Sequence, residues 1–207
     1  MRIVSGKYRR RKLLTNPGQV TRPMPDRVKE FLFHHLLDDL AGRRLADVFS
    51  GTGTIGLEGL SRGASSAVFI EKDRQAHELL KRNVATLGVE NETLCWRTDA
   101  LRSSFCPKGA DDLVPFQIVF VDPPYQMISK LRHESRLYKS LERLARPNVT
   151  EAGARLVLRT PGKAMFDCPG VWQFDQKFEI SHMEIHLFHK CGSGSLERWQ
   201  QTGQNMK

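Results

Sequence analysis

Apolar positions along the chain follow two rhythms. Short continuous runs, "RLADVF" (44–49), "SAVFIE" (66–71), "TLCWRT" (93–98) and "FQIVFV" (116–121), read as strands. The last is apolar throughout, as a central parallel strand is. Between the runs the spacing becomes helical. Val28, Phe31, Leu32, His35, Leu36 and Leu40 predict a first helix, with Asp26 as its N-cap and Gly42 at its end. Ile55, Leu57 and Leu60 open a second helix that closes at Gly63, and Gly56 and Gly59 allow it to lie close on the sheet. Asp73 caps a third, whose apolar face is Ala76, Leu79, Leu80, Val84 and Leu87 and whose end is Gly88. Residues 102–115 show no periodicity. A helix is expected over 134–146, then a strand "ARLVLR" (154–159). "WQFDQKFEI" and "MEIHLFHK" meet near Ser181-His182 as a terminal antiparallel hairpin.

Strands alternating with helices imply a doubly wound α/β sheet. Ligands of such sheets sit at the carboxyl ends of the strands. Four polar features fall there: "SGTGTIG" (50–56), Glu71, Asp99, and Asp122-Pro123-Pro124-Tyr125. The expected organisation is a basic arm and linker at 1–25, with "TRPMP" (21–25) as a proline-broken link, one main domain at 26–191, and a polar tail at 192–207.

Charge adds a partner class. With 207 residues and 40% apolar content the chain can bury one sizeable core. Lys and Arg total 32 against 23 acids, a formal +9, which suits a polyanion such as nucleic acid, or a solvated basic surface. Residues 1–12, "MRIVSGKYRRRK", hold Arg2, Lys7, Arg9, Arg10, Arg11 and Lys12 without one acid. Tyr8 among them could stack on a base. The stretch is expected to be an ordered basic strand. Cys95, Cys106, Cys168 and Cys191 lack C-x-x-C spacing, and the His residues lack metal-site intervals, so no metal or disulfide framework is expected. There is no signal-like apolar segment and no apolar run of membrane-spanning length, which points to a cytoplasmic protein with no membrane partner. A monomer is the simpler expectation. Trp96 and Trp172 are expected to pack in the core.

"SGTGTIG" fits G-x-G-x-x-G, the fingerprint of nicotinamide cofactors, but that pattern serves any adenosine-bearing ligand. Gly51 and Gly53 admit a ligand close to the backbone, and Glu71 stands where a carboxylate can accept from a ribose diol. Asp99 could receive an adenine amino group, or form an ordinary turn. Asp122-Pro123-Pro124-Tyr125 narrows the choice. Two prolines stiffen the chain, remove two donors and are expected to leave carbonyl oxygens that no local helix N–H claims. Asp122 and the Pro123 carbonyl could then accept both hydrogens of an exocyclic NH₂ while Tyr125 stacks on its ring.

"DVFSGTGTIGLEGLSRGA", "FIEKD" and "FVDPPY" together resemble S-adenosylmethionine-dependent amino-methyltransferases. "RIVSGKYRRRKL" followed by "TRPMPDRVKEFLFHHL" is similar to the RsmD-like bacterial family that methylates a guanine N2 of small-subunit (16S) ribosomal RNA. The resemblance spans about residues 1–190. It implies a Rossmann-like class I methyltransferase sheet, mostly parallel, with S-adenosyl-L-methionine as cofactor. It implies that Ser50, Gly51, Thr52 and Gly53 wrap the methionine part, with Asp47 supporting the loop. Glu71 would hold the ribose, and Asp99 and Ala100 would border the adenine. Asp122, Pro123, Pro124 and Tyr125 would hold the target guanine. Arg9, Arg10, Arg11, Thr21, Arg22 and Arg27 would face ribosomal RNA or an assembling small subunit. Two departures stand out: Arg10 where the family usually has Gly, and Met24-Pro25 in the second motif. Competing readings are a DNA adenine or cytosine amino-methyltransferase, a nicotinamide-dependent oxidoreductase, which leaves Asp122-Pro123-Pro124-Tyr125 without a role, and a non-catalytic RNA-binding module.

Overall fold

The computed structural model describes residues 1–16, 24–35 and 40–192. Thr21, Arg22 and Pro23 of the expected RNA motif, Leu36 of the first helix and residues 193–207 of the polar tail lie outside the described residues. Seven strands form one sheet in the order β3-β2-β1-β4-β5-β7-β6. They are β1 Arg44–Val48, β2 Ser66–Glu71, β3 Thr93–Arg97, β4 Phe116–Val121, β5 Thr150–Pro161, β6 Trp172–Ile180 and β7 Met183–Lys190. The first five pair in parallel. The terminal hairpin is antiparallel as expected, but β7 also inserts between β5 and β6, pairing antiparallel with both. Sequence order alone carries no sign of that insertion. β5 runs longer than the 154–159 expected.

The described helices are α1 Asp26–His35, α2 Thr54–Ser61, α3 Arg74–Leu87, the short α4 Tyr125–Ile128, and α5 Arg136–Leu144. Asp73 caps α3 by accepting from the Ala76 N–H, and Gly88 ends it at φ 68°. At α1 it is the Pro25 carbonyl that accepts the first amides, from Val28 and Lys29. Asp26 is helical and spends its carboxylate on Arg2 and Lys29 instead of capping.

Strand side chains alternate between faces, so each strand feeds two cores. Leu45, Phe69, Phe120 and Val157 pack with Leu32, Phe33, Leu57 and Leu80 of α1, α2 and α3. Val48, Ile70, Val119 and Leu156 pack with Leu137, Leu141 and Leu144 of α5. A fully buried side chain of this kind contributes about 1.5–3 kcal/mol relative to exposure. Trp172 joins the second core and donates its indole N–H to the Leu141 carbonyl. α2 lies so close to the sheet that a Cβ on Gly56 would sit 2.4 Å from the Phe69 ring.

The basic arm is ordered but is not a strand. Only Arg2 and Lys12 form a bridge, because the arm's amides have another acceptor. Glu58, buried on α2, takes the Val4 and Ser5 N–H groups at 2.8 and 3.0 Å. The same carboxylate binds Arg62 at 2.8 Å and stands 3.9 Å from the fully buried Lys29. Lys29 in turn donates to the Arg2 carbonyl. Gly6, at φ 80°, passes the end of α2 so closely that a Cβ would lie 1.8 Å from the Ser61 carbonyl oxygen. Arg10 adopts φ 69°, a left-handed conformation that glycine adopts freely, which is the physical content of that departure. Met24 is buried in the first core.

Removing Glu58 would leave Lys29 short of a counter-charge and two arm amides without an acceptor. Glu58→Ala should lower unfolding free energy by about 3 kcal/mol, read by urea denaturation. It should also open the arm to trypsin at Arg9, Arg10 and Arg11.

Candidate active site

The glycine loop follows β1. Phe49 turns the chain at φ 64°, a strained value for an aromatic residue at the mouth of the site. The amides of Phe49 and Ser50 donate to the Ile70 carbonyl. Gly53 takes φ 81° to open α2, and its Cβ position lies against Leu80, so it serves the turn and the packing. Gly51 differs: nothing lies within 4 Å of its Cβ position. Of the two glycines expected to admit a ligand, Gly51 is the one that faces open space.

Asp47 is fully buried under this loop. One oxygen accepts from the Gly56 N–H at 2.8 Å, which fixes the start of α2. The other, Oδ1, has no hydrogen-bond partner among the described residues, and neither has the buried Ser50 hydroxyl. Burial, then the negative charges of Asp122 and Glu71, push the Asp47 carboxyl up to about 7. Glu71 accepts from the amides of Gly51 at 2.8 Å and Asp73 at 2.7 Å, so it fastens the loop to β2. A carboxylate has further lone pairs, which leaves room for a diol. Asp99 accepts from the Leu101 N–H at 3.0 Å, an ordinary turn bond. Ala100 is buried, and its carbonyl accepts from Ser140 of α5. Thr52, half-buried, has its carbonyl held by Asn83 at 2.9 Å. Two orphaned buried polar atoms and an open glycine beside a ribose-type carboxylate fit an adenosine-bearing cofactor with a polar, charged tail.

At the end of β4 the Asp122 N–H donates to the Val48 carbonyl, holding this segment beside the glycine loop. Pro123 is buried, and no hydrogen bond to its carbonyl occurs among the described residues. The Pro124 carbonyl, by contrast, is taken by the Met127 N–H at 2.8 Å as α4 begins, so only the first proline offers the unclaimed oxygen expected of both. Tyr125 is half-buried. Asp122 carries a partner that its local sequence does not reveal: Arg159 of β5 donates Nε–H to Oδ1 at 2.6 Å. The signal available was an arginine directly following the apolar run Leu156-Val157-Leu158 of β5. Glu58 and Asn83 were missed too, and each is a polar residue on an otherwise buried helix face.

The arm's arginines are not gathered at this rim. Arg9, Arg10 and Arg11 stand exposed near Ser61, at the far end of α2, about 12 Å of helix from the glycine loop. The chain returns to the rim at Leu14, whose N–H and carbonyl both bind Asn83. Arg27 is exposed on α1. No metal cluster and no helix long and apolar enough to cross a membrane occur among the described residues.

Sheet order, glycine loop and the Asp122-Pro123-Pro124-Tyr125 rim define a Rossmann-like methyltransferase. The chain belongs to the family described as Conserved hypothetical protein 95, whose profile matches residues 1–188. It is 40% identical over 126 residues to Ribosomal RNA small subunit methyltransferase D of Escherichia coli K12. That match covers 61% of each chain, so the aligned part spans less than two thirds of that relative. Among solved structures, "Putative methyltransferase yhhF" of Escherichia coli superposes with a TM-score of 0.75 at 30% identity, covering 92% of this chain and 98% of that one. An RNA methyltransferase of Salinibacter ruber, solved with S-adenosyl-L-homocysteine, shares the fold at TM-score 0.59 and 18% identity, covering 83% and 95%.

The Asp47 carboxyl sets a pH dependence. Its folded value, about 7, lies above the 3.8 of an ordinary carboxyl. Its contribution to stability is therefore full below pH 3.8 and is lost as pH rises through 7, at about 1.4 kcal/mol per unit of difference. Asp47→Asn should flatten that decline in urea titrations between pH 4 and 8.

Proposed function

We propose that this chain is an S-adenosyl-L-methionine-dependent methyltransferase that acts on the exocyclic N2 of a guanine in small-subunit ribosomal RNA, as a cytoplasmic monomer. The observation that carries the reading is the Asp122 carboxylate. It is held at the rim beside the unclaimed Pro123 carbonyl, on the strand next to the loop with orphaned acceptors. The relatives named above supply the substrate class.

Ser50, Gly51, Thr52 and Gly53 would hold the methionine part of the cofactor over Asp47, Glu71 its ribose, and Asp99 and Ala100 its adenine. Bound there, the cofactor supplies a sulfonium methyl electrophilic enough that no strong base is needed. The residues then have a positioning task. Asp122 and the Pro123 carbonyl accept the two hydrogens of the target amino group. This turns the nitrogen lone pair outward, and Tyr125 covers the ring. A guanine within a helix must first be flipped out. Positive charge developing on the nitrogen is stabilised by the Asp122 anion, and the proton leaves after transfer. The exposed Arg9, Arg10, Arg11 and Arg27 would hold phosphates at a distance from the rim, which suits a substrate with flanking structure.

The test is methyl transfer from labelled cofactor to small-subunit ribosomal RNA, naked and as ribonucleoprotein, with nucleoside mapping of the product. N2-methylguanine at one position is expected; label in DNA on adenine or cytosine would favour the DNA enzyme instead. Asp122→Ala should lower turnover by about 10²–10³-fold while isothermal titration shows cofactor affinity retained.

Replacing Arg9, Arg10 and Arg11 together by Ala should weaken RNA binding at every sequence. It should reduce the slope of log affinity against log salt by about one per lost phosphate contact.

A further inference from the structure

Arg159 is the residue that neither the cofactor loop nor the Asp122-Pro123-Pro124-Tyr125 motif accounts for. It is 8% exposed, in the middle of a sheet. Parallel pairing of Val121 with Leu158 places Asp122 and Arg159 opposite each other at the next step of the ladder. The contact is thus set by strand register and not by a mobile loop. Nε donates to Asp122 Oδ1 at 2.6 Å, with side-chain exposures of 9% and 17%. The guanidinium carbon also lies 5.9 Å from the Tyr125 ring centroid. Besides this bond, the Asp122 side chain has no hydrogen-bond partner among the described residues.

Among the described residues, the charged groups that act on Asp122 are Arg159 from β5 and Asp47 from β1, while Tyr125 of its own segment lies against the guanidinium. Asp47 adds negative charge when ionised and otherwise none, so the positive charge on Asp122 comes from β5. Burial pushes the Asp122 carboxyl up, and Arg159 opposes that by charge and hydrogen bond. A base entering the site would remove more water and strengthen the push. A protonated Asp122 would present a donor to an NH₂ that is itself a donor.

We propose that Arg159 is a positioning residue for methyl transfer. It anchors the Asp122 carboxylate by Oδ1 and supplies its counter-charge, which leaves Oδ2 to accept from the target amino group. The proposal rests on the reading that Asp122 meets that amino group.

The experiment is single-turnover methylation of the small-subunit ribonucleoprotein with labelled S-adenosylmethionine, across pH 5.5–9. The variants are Arg159→Met, Arg159→Lys, Asp122→Asn and the double variant Arg159→Met/Asp122→Asn. Thermal unfolding and cofactor affinity are measured on each. Arg159→Met should slow the maximal rate by about tenfold or more with a smaller change in KM. The acid limb of its pH profile should move up by about one unit or more. Arg159→Lys, which keeps the charge, should return the limb part of the way. On the Asp122→Asn background, Arg159→Met should cost little more, because both act through one contact. An unmoved acid limb in Arg159→Met, or full additivity in the double variant, overturns the proposal. If Arg159→Met does not fold, Arg159→Gln carries the same pH test. Asp122→Asn with near-normal turnover would instead overturn the reading of Asp122 itself. An inactive Asp122→Asn beside an unmoved limb removes only Arg159.

Discussion

The site depends on the register of β1 between β2 and β4. Val48 pairs with Ile70 on one side and Val121 on the other. These strands therefore end level. Asp47 stands level with Phe69 and Phe120; Glu71 and Asp122 lie one same-face step beyond it, with Arg159 opposite Asp122. A slip of one residue in any ladder would send a whole row to the opposite face. It would replace the polar rim with Ile70, Val48 or Val121. The cores on both faces thus hold the chemistry in place, since each strand buries apolar side chains on both sides.

Behind that row, the arm forms part of the wall of the loop. Glu58 and Lys29 are wholly buried charges, tolerated because each is surrounded by partners: two arm amides and Arg62 for the first, the Arg2 carbonyl and two carboxylates for the second. Breaking up such a group costs more than forming it contributes. Its value here is therefore in fixing one arrangement of arm and helix. Asn83 extends the arrangement to the rim by binding both polar groups of Leu14 and the Thr52 carbonyl. The arginines at the arm's tip and the glycine loop lie at two ends of one hydrogen-bonded unit built around α2.

Much of this was legible in the sequence because it rests on local patterns. Strand runs, the Asp73 cap, the Gly88 stop, the glycine loop and Asp122-Pro123-Pro124-Tyr125 all declare themselves within a few residues. What was not legible is what depends on partners distant in sequence. Arg159 is 37 residues from Asp122, and Glu58 is 54 from Val4. The insertion of β7 has the same cause, since hairpin chemistry fixes its pairing with β6 and is silent about β5. The warning sign was nonetheless present. The charge within "TIGLEGLS", like each arginine of "RLVLRT", must find a counter-charge or stay out of the core. The Pro124 carbonyl shows the opposite error: the absence of proline amides was visible, but a short helix after the motif still claims that oxygen.

The same face also holds two acids with different partners. Asp47 has only a backbone amide for support and other acids nearby, and its carboxyl rises to about 7. Asp122 meets the same desolvation, but a guanidinium opposes it. Burial pushes both carboxyls up, but among the described residues only Asp122 of the two has a guanidinium bonded to it. A carboxyl able to stay neutral beneath the loop adds little repulsion to its neighbours, whereas an anchored anion at the rim attracts an amino donor. A nicotinamide site would use Glu71 and the glycines equally well but has no use for an anchored anion at the end of β4. On the proposed reading, Arg159, more than the glycine fingerprint, is what suits this rim to an amino group.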